Sequence, residues 1–525
     1  MTLVQLKNFL PFFAVFCFIS YLLYGTGIHS DDYSEIYSLG ELSLYEFYHS
    51  TPEDLGIFLF GLPTYYILFW AFPFLGYEHL FLYDLIKIVI NFFCFLAIYF
   101  FFKDYLSKNA AIICSFLFIF FPLHDATNYW YMCMGYLLSS ALLMFGHYLV
   151  RANKVLIGFM ITLIGAFAFY VSPPFIFGLA IIFLVEKMYK KFLLYITPGL
   201  IYCIYYFLIK SYVTGAERRI DSNLSIIQFF KNLVLQVFSL LDASIGPSAF
   251  IKIFYFLQSY SLFFFFSISI ICFFIYKKCT FNFNVNNLIN KPLLIGLSMV
   301  VLLSLGMYAL TGYYWHTPFN LSNRSLIFVS LVLAYLATLL IFRKKSYFVS
   351  GITLIIILNL SISNHWKDWN VNQGEVINNI ILNTSLTKIP DGSTLFVGGN
   401  LYSKIENFSY IEFFIMPWTT KAIFSRLNIS NLTVIPLSPY LDIENSLLID
   451  NKWKKDYPLD LNANLYVYDS SNNTVIQIAP NELEAFLNVE NIQRHWVQSF
   501  AGTQIQTWIE YLSPNTKYLF GEHYN

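Results

Sequence analysis

Charge is what this sequence has least of. Of 525 residues, 12% are Asp, Glu, Lys or Arg and 57% are hydrophobic, whereas a soluble globular protein carries about 25% charged residues. That leaves too little polar surface to face water on every side, so lipid is the solvent for much of the chain. Basic and acidic residues balance at 31 each. No basic tract occurs, which removes the electrostatic footprint of a nucleic-acid binder. Cysteine is sparse, and none of the seven lies after Cys279. With no C-x-x-C spacing, metal-thiolate and redox motifs are absent, and the C-terminal part must fold without disulfides. No Walker lysine or G-x-G-x-x-G pattern occurs either. Gly398-Gly399-Asn400 therefore reads as a tight turn, not a phosphate loop.

What the chain has in abundance is long apolar runs rich in Phe and Tyr. Short clusters of Lys and Arg fall between alternate runs: Lys103 and Lys108; Arg151 and Lys154; Lys187, Lys190 and Lys191; Lys277, Lys278 and Lys291; Arg343, Lys344 and Lys345. The positive-inside rule puts all five on the cytoplasmic side. The expected spans are 9–26, 84–102, 110–123, 134–150, 155–170, 175–186, 192–210, 258–276, 292–310, 325–342 and 346–362. The pair around Ser172-Pro173-Pro174 is short enough to dip in and turn. The first run, Phe9 to Tyr24, reads as an uncleaved span, because Tyr24-Gly-Thr-Gly-Ile-His-Ser is a poor signal-peptidase site. Residues 57–75 are long enough to cross, yet crossing would break the charge parity. Gly61, Pro63 and Pro73 also interrupt a straight helix, so 57–75 reads as an interfacial or re-entrant helix on the outer face. The alternative is a true span with the N-terminus outside. The outer loops are then 27–83, 124–133, 171–174, 211–257 and 311–324.

The expected fold class is a polytopic α-helical membrane protein of about eleven spans, with a small mixed α/β soluble domain at the C-terminus. Residues 1–362 form the membrane part and 363–525 the soluble domain. Within the latter, 371–386 reads as a helix with Val376, Ile377, Ile380 and Ile381 on one side. Strands are expected at 394–397, 432–437, 465–468 and 475–478, the last two paired across Ser470–Asn473. A helix capped by Asn481 and Glu484 should follow.

Three outer constellations carry candidate chemistry. The first loop opens with His29-Ser30-Asp31-Asp32-Tyr33-Ser34-Glu35, where adjacent carboxylates next to a membrane surface suit a general base or a metal site. The bland reading is a solvated loop start. The second, His124-Asp125 followed by Tyr129-Trp130-Tyr131, offers oxygen and imidazole ligands, or else an ordinary turn with an interfacial aromatic belt. The third runs from Tyr313 through Trp315 and His316 to Arg324, a cation at the outer mouth of a late span that suits a lipid phosphate. Snorkelling accounts for such an Arg equally simply. Arg218, Arg219 and Lys87 are further cationic candidates.

This arrangement resembles the GT-C glycosyltransferases, integral membrane enzymes that use polyprenyl-phosphate sugar donors. They have many spans, an acidic motif in the first outer loop, membrane-surface helices after it, and often a soluble C-terminal domain. Asp31-Asp32 matches the acidic motif and 41–75 the surface helices. The resemblance covers the whole architecture but few residues. It implies transfer of a sugar to an extracytoplasmic glycan, lipid or protein, with Asp31 or Asp32 as base and inversion at the anomeric carbon. It also implies Arg324 on the donor phosphate, with Asp125, His124, Trp130, Trp315 and Lys87 around the substrate. A divalent cation, Mg or Mn, is compatible with this chemistry without being required by it; Asp31, Asp32 and Asp125 are the oxygen ligands on offer. The implied setting is a bacterial inner membrane, with the site on the extracytoplasmic side. Two rival readings are a lipid-linked sugar flippase and a polymerase or ligase of lipid-linked glycans. An internal repeat would favour the first, but none is visible. The second is weakened by the lack of His in 211–257. A structural or assembly protein would need neither Asp31 nor Asp32.

Overall fold

The computed structural model describes residues 3–40, 42–49, 64–212, 224–261, 289–311, 315–427 and 464–487, with shorter pieces in 267–277 and 429–458. The chain divides into two compact units. One comprises Met1–Thr26, Ser43–Pro318 and Ser322–Asn364; the other comprises Gly27–Leu42, Phe319–Leu321 and His365–Asn525.

The first unit is helical and holds the apolar runs. Its helices include α1 (Leu3–Leu23), then α4 (Leu80–Lys103), α5 (Lys108–Ile119), α6 (Met134–Arg151), α7 (Val155–Ala168), α8 (Ser172–Val185) and α9 (Tyr189–Tyr212). These are followed by α10 (Ile226–Ile245), α11 (Pro247–Gln258), α12 (Lys291–Thr311) and α13 (Ile327–Ile341). Among the described residues, seven helices are long and apolar enough to cross a membrane. Six of them coincide with expected spans. Four other expected spans appear as apolar helices of 10–17 residues, and 258–276 is described only in pieces. The seventh long stretch, Ile226–Gln258, had read as loop. It is two helices, α10 and α11, broken at Gly246. The described part of 41–75 is a short helix, α3 (Leu44–His49), a π-type turn Tyr65–Phe69 and a helical turn Ala71–Leu75.

Close helix approach explains three of the glycines. A Cβ on Gly146 of α6 would sit 2.3 Å from Thr162 Oγ1 of α7, and one on Gly158 would sit 2.8 Å from the Val150 nitrogen. Small residues let such backbones touch in lipid, where packing rather than water drives association. Gly178 of α8 lies in the same way against Val300 of α12. At one end of the bundle Arg151 pairs with Glu186, Arg151 Nη1 donates to Tyr105 Oη (3.1 Å), and Lys191 donates to the Arg151 carbonyl (2.7 Å). Three of the five basic clusters are thus gathered at a common end, as the charge alternation required.

The second unit contains α2 (Asp31–Leu39) and a β-sheet region. Helix α14 (Lys345–Leu382), of which Lys345–Asn364 belong to the first unit and His365–Leu382 to this one, is continuous where a span and a separate helix were expected. Its residues Gln373, Val376, Ile377 and Ile380 are buried. Strands β1 (Thr394–Gly398), β4 (Thr433–Pro436) and β8 (Leu465–Asp469) are parallel, with β1 in the middle. Strand β9 (Thr474–Ile478) returns antiparallel to β8. All four strands lie where their alternation placed them. Between them fall a hairpin, β2 (Tyr402–Ile405) and β3 (Phe408–Glu412), and an antiparallel sheet of β5 (Leu441–Glu444), β6 (Leu447–Asp450) and β7 (Lys455–Pro458). Helix α15 (Pro417–Phe424) packs on β4 and on α2. The last described helix, α16 (Leu483–Leu487), follows a turn braced by Glu482, which accepts from the Ala479 N–H at 2.8 Å. The brace is therefore Glu482 rather than the expected Glu484.

Candidate functional site

In the second unit the acidic pair opens α2. Ser30, just before it, has φ 50°, a left-handed value that costs a residue with a Cβ about 1–3 kcal/mol. The surroundings hold it there. Ser30 Oγ donates to Met416 Sδ (3.4 Å), and the His29 N–H donates to Asp32 Oδ2 (2.9 Å). His29 is itself fixed: Gln373 Nε2 donates to its Nδ1 (3.0 Å), and its ring meets Trp366 edge-on at 4.7 Å. Asp32 is fully buried and braces the loop. Asp31 is only partly buried, and its Oδ1 accepts from Trp418 Nε1 of α15 at 2.5 Å. One turn on, Glu35 is half-buried. Burial first, then the charges of Asp31 and Asp32, push its carboxyl up to about 8, as expected when like charges share a site.

In the first unit three polar groupings form around the loops between spans. Asp84 and Lys87, one turn apart on α4, pair at 2.8 Å. Lys87 Nζ also donates to Thr26 Oγ1 (2.6 Å) and the Tyr129 carbonyl (3.3 Å), and Asp84 accepts from the Gly25 N–H (2.8 Å). The second grouping centres on Asp125, whose Oδ1 accepts from Lys252 of α11 (2.5 Å) and Asn323 Nδ2 (2.6 Å). Lys252 also donates to the Pro318 carbonyl (2.8 Å), and Asn323 Oδ1 accepts the Ala126 N–H (3.0 Å). His124 beside it is fully buried. Its nitrogens lie 2.8 Å from Thr127 Oγ1 and 2.7 Å from the Phe118 carbonyl, and burial pushes its pKa down to about 4, so the ring is neutral.

The third grouping surrounds Arg324. Its guanidinium lies 5.0 Å from the Trp130 ring centroid and 6.0 Å from that of Tyr136, and Nε donates to Tyr136 Oη at 3.2 Å. Tyr136 Oη in turn bonds Tyr170 Oη. Tyr170 lines an apolar cavity of about 280 Å³, shared with Pro174, Phe177, Tyr202, Phe207 and Met307. Arg324 belongs to a 3₁₀ segment, Leu321–Leu326. Three residues per turn spread successive side chains about 120° apart. Asn323 reaches Asp125, Arg324 reaches Trp130 and Tyr136, and Ser325 Oγ lies 3.1 Å from His316 Nδ1. The Trp130 and Trp315 indole N–H groups and His316 Nε2 are buried with no hydrogen-bond partner among the described residues.

The candidates thus fall in both units, with Asp31 and Asp32 in one and Lys87, His124, Asp125, Trp130, Trp315 and Arg324 in the other. Arg218, Arg219 and Tyr313 lie outside the described residues. No group of three His, Cys, Asp or Glu placed to hold a metal ion occurs among the described residues. Reading by sequence missed Lys252, Asn323, Tyr136, Gln373 and Trp418. Lys252 left a signal: it is the sole charge in the apolar helix Pro247–Gln258, where an ionisable group demands a partner.

Fold and site together describe an integral membrane protein with acidic and cationic groupings at loop positions and a sheet-containing C-terminal region. The chain is similar to a solved structure, the crystal structure of ArnT from Cupriavidus metallidurans bound to undecaprenyl phosphate. The identity is 9%, the match covers 82% of this chain and 86% of that one, and the TM-score is 0.41. No family model matches the chain, and no curated protein matches it.

Proposed function

We propose that the chain is a membrane glycosyltransferase that moves a sugar from a polyprenyl-phosphate donor to an acceptor hydroxyl on a glycan, lipid or protein at the extracytoplasmic face of a bacterial inner membrane. The observation that carries this reading is the placing of Arg324. A guanidinium over the Trp130 ring, linked through Tyr136 and Tyr170 to an apolar, aromatic cavity, offers what a lipid phosphate needs: a forked cation for the head and apolar surface for the chain. Trp130 supplies the face on which Arg324 lies. Lys87 and Asp125 shape the neighbouring loops through the bonds already described, and His124 and Trp315 line them.

In the reaction, the acceptor oxygen attacks the anomeric carbon and the bond from that carbon to the phosphate oxygen breaks. The bonding pair leaves on the phosphate, and the acceptor proton passes to a carboxylate. The leaving group is already stable and needs charge stabilisation more than a proton, which is the role of Arg324. The acceptor needs a base, and one carboxylate suffices. Asp31 is the better placed, because Asp32 is fully buried and committed to the His29 N–H. Attack opposite the leaving group inverts the anomeric centre. No step is assigned to a divalent cation.

The test is transfer from radiolabelled polyprenyl-phosphate sugars to membrane-extract acceptors by the purified protein. Asp31→Asn is expected to lower turnover about 10²–10⁴-fold, the usual range for a general base, with folding unchanged. Full activity in both Asp31→Asn and Asp32→Asn would remove the base from this loop. Donor translocation in liposomes without any transfer would replace the enzyme by a flippase.

A further inference from the structure

We propose that Trp418, in the C-terminal domain, is a positioning residue that aims the Asp31 carboxylate through its indole N–H. The inference rests on the glycosyltransferase reading for its consequence, but its geometry stands within the second unit alone. Asp31 is the first residue of α2, with a short side chain and part of its surface exposed. Left to itself such a group samples several rotamers. Trp418 stands at the second position of α15, after Pro417, where the fixed φ of proline suits the start of a helix. Its Nε1 meets Asp31 Oδ1 at 2.5 Å across 387 positions of sequence.

Two neighbouring contacts hold the same pair of helices. Ser30 Oγ donates to Met416 Sδ, and the ring of Tyr33 lies 5.7 Å from that of Phe413. The strained Ser30 and the start of α15 are therefore held together on both sides of the carboxylate. The other described tryptophans of this unit differ. Trp366 and Trp369 are buried, and the Trp366 indole N–H goes to Tyr410 Oη at 3.2 Å. Trp418 is only partly buried, so core packing alone does not account for it, and its polar edge is spent on a carboxylate. An N–H donated to a carboxylate favours the ionised form, which is the form that accepts a proton.

The first measurement needs no substrate. In protein labelled with 5-fluorotryptophan, the ¹⁹F resonance that disappears in Trp418→Phe belongs to this residue. On acidification it should shift as Asp31 takes up a proton, and in Asp31→Asn the shift should be absent. A resonance indifferent to both pH and Asp31→Asn overturns the contact. The second measurement is kinetic. Trp418→Phe keeps an aromatic ring and loses the donor. It should lower kcat about tenfold at unchanged donor KM and move the acid limb of the pH–rate profile up by about one unit, in line with losing one hydrogen bond to a charged group. Trp418→His, which restores an N–H, should recover part of both. Wild-type kinetics and pH profile in Trp418→Phe would overturn the positioning role even with the contact proven. Retained transfer in Asp31→Asn would instead sink the base assignment, leaving the ¹⁹F result intact.

Discussion

The two units treat buried charge in opposite ways. In the membrane unit three charges that are buried or half-buried meet their opposites: Asp84 faces Lys87, Asp125 faces Lys252, and Arg151 faces Glu186. In the second unit like charges are gathered, with Asp31, Asp32 and Glu35 within two turns of one helix, and the His29 N–H and the Trp418 indole as neutral donors to the first two. Pairing is what a low-dielectric interior demands of groups that only hold structure together. Gathering like charge raises the cost of ionising the last member, and such arrangements concentrate where chemistry is done.

The contrast is broken most severely by unpairing the first kind of charge. Lys252→Met leaves Asp125 buried without its cation and should cost about 3–5 kcal/mol of stability, read from unfolding of the detergent-solubilised protein. Asp125→Leu combined with Lys252→Met should recover most of the loss, since replacing both members removes the stranded charge. A double variant as unstable as the single one would show that the pair does more than neutralise itself. Next in size is Arg324→Met. It keeps much of the contact with Trp130 and loses the cation, and should raise donor KM about 10–100-fold with little change in melting temperature. Arg324→Lys should restore only part, because a point charge does not lie flat on an indole.

The smallest effect sharpens the contrast from the other side. Glu35 is protonated up to about pH 8 in the folded protein and to about 4.5 when free. Between those values the folded state holds a proton that the unfolded state has released, so stability falls as pH rises. Glu35→Gln removes this dependence. Its melting temperature should match the wild type near pH 4.5 and exceed it by a few degrees at pH 9. Parallel curves for the two proteins would show that Glu35 is not held protonated.

How much of this the sequence disclosed depends on how far apart the interacting residues are. Spans and sheet strands were legible because hydropathy and alternation are local: Leu80–Lys103, Lys291–Thr311 and β1, β4, β8 and β9 all lie where those patterns placed them. Helices α10 and α11 were misread as loop because Lys231, Asp242 and Lys252 punctuate them, though Asn232, Gln236, Asp242 and Lys252 all turn inward. The continuity of α14 was hidden because hydropathy reports the surrounding solvent, whereas backbone hydrogen bonding carries the helix on past Ser361. Adjacent carboxylates at 31 and 32 could be seen. What separates their tasks could not: Asp31 is met by a residue 387 positions on, and Asp125 by partners 127 and 198 positions on.

The 3₁₀ segment at Leu321–Leu326 behaves as a three-way key. Its phase, not only its composition, assigns one side chain to each neighbour. Deleting a single residue upstream within it would rotate every tooth by about 120° and present Asn323, Arg324 and Ser325 to the wrong locks at once, although none of the three had been altered. Inserting three would restore the phase while advancing the teeth by about 6 Å along the axis. Natural variation at this spot should therefore conserve the length of the segment.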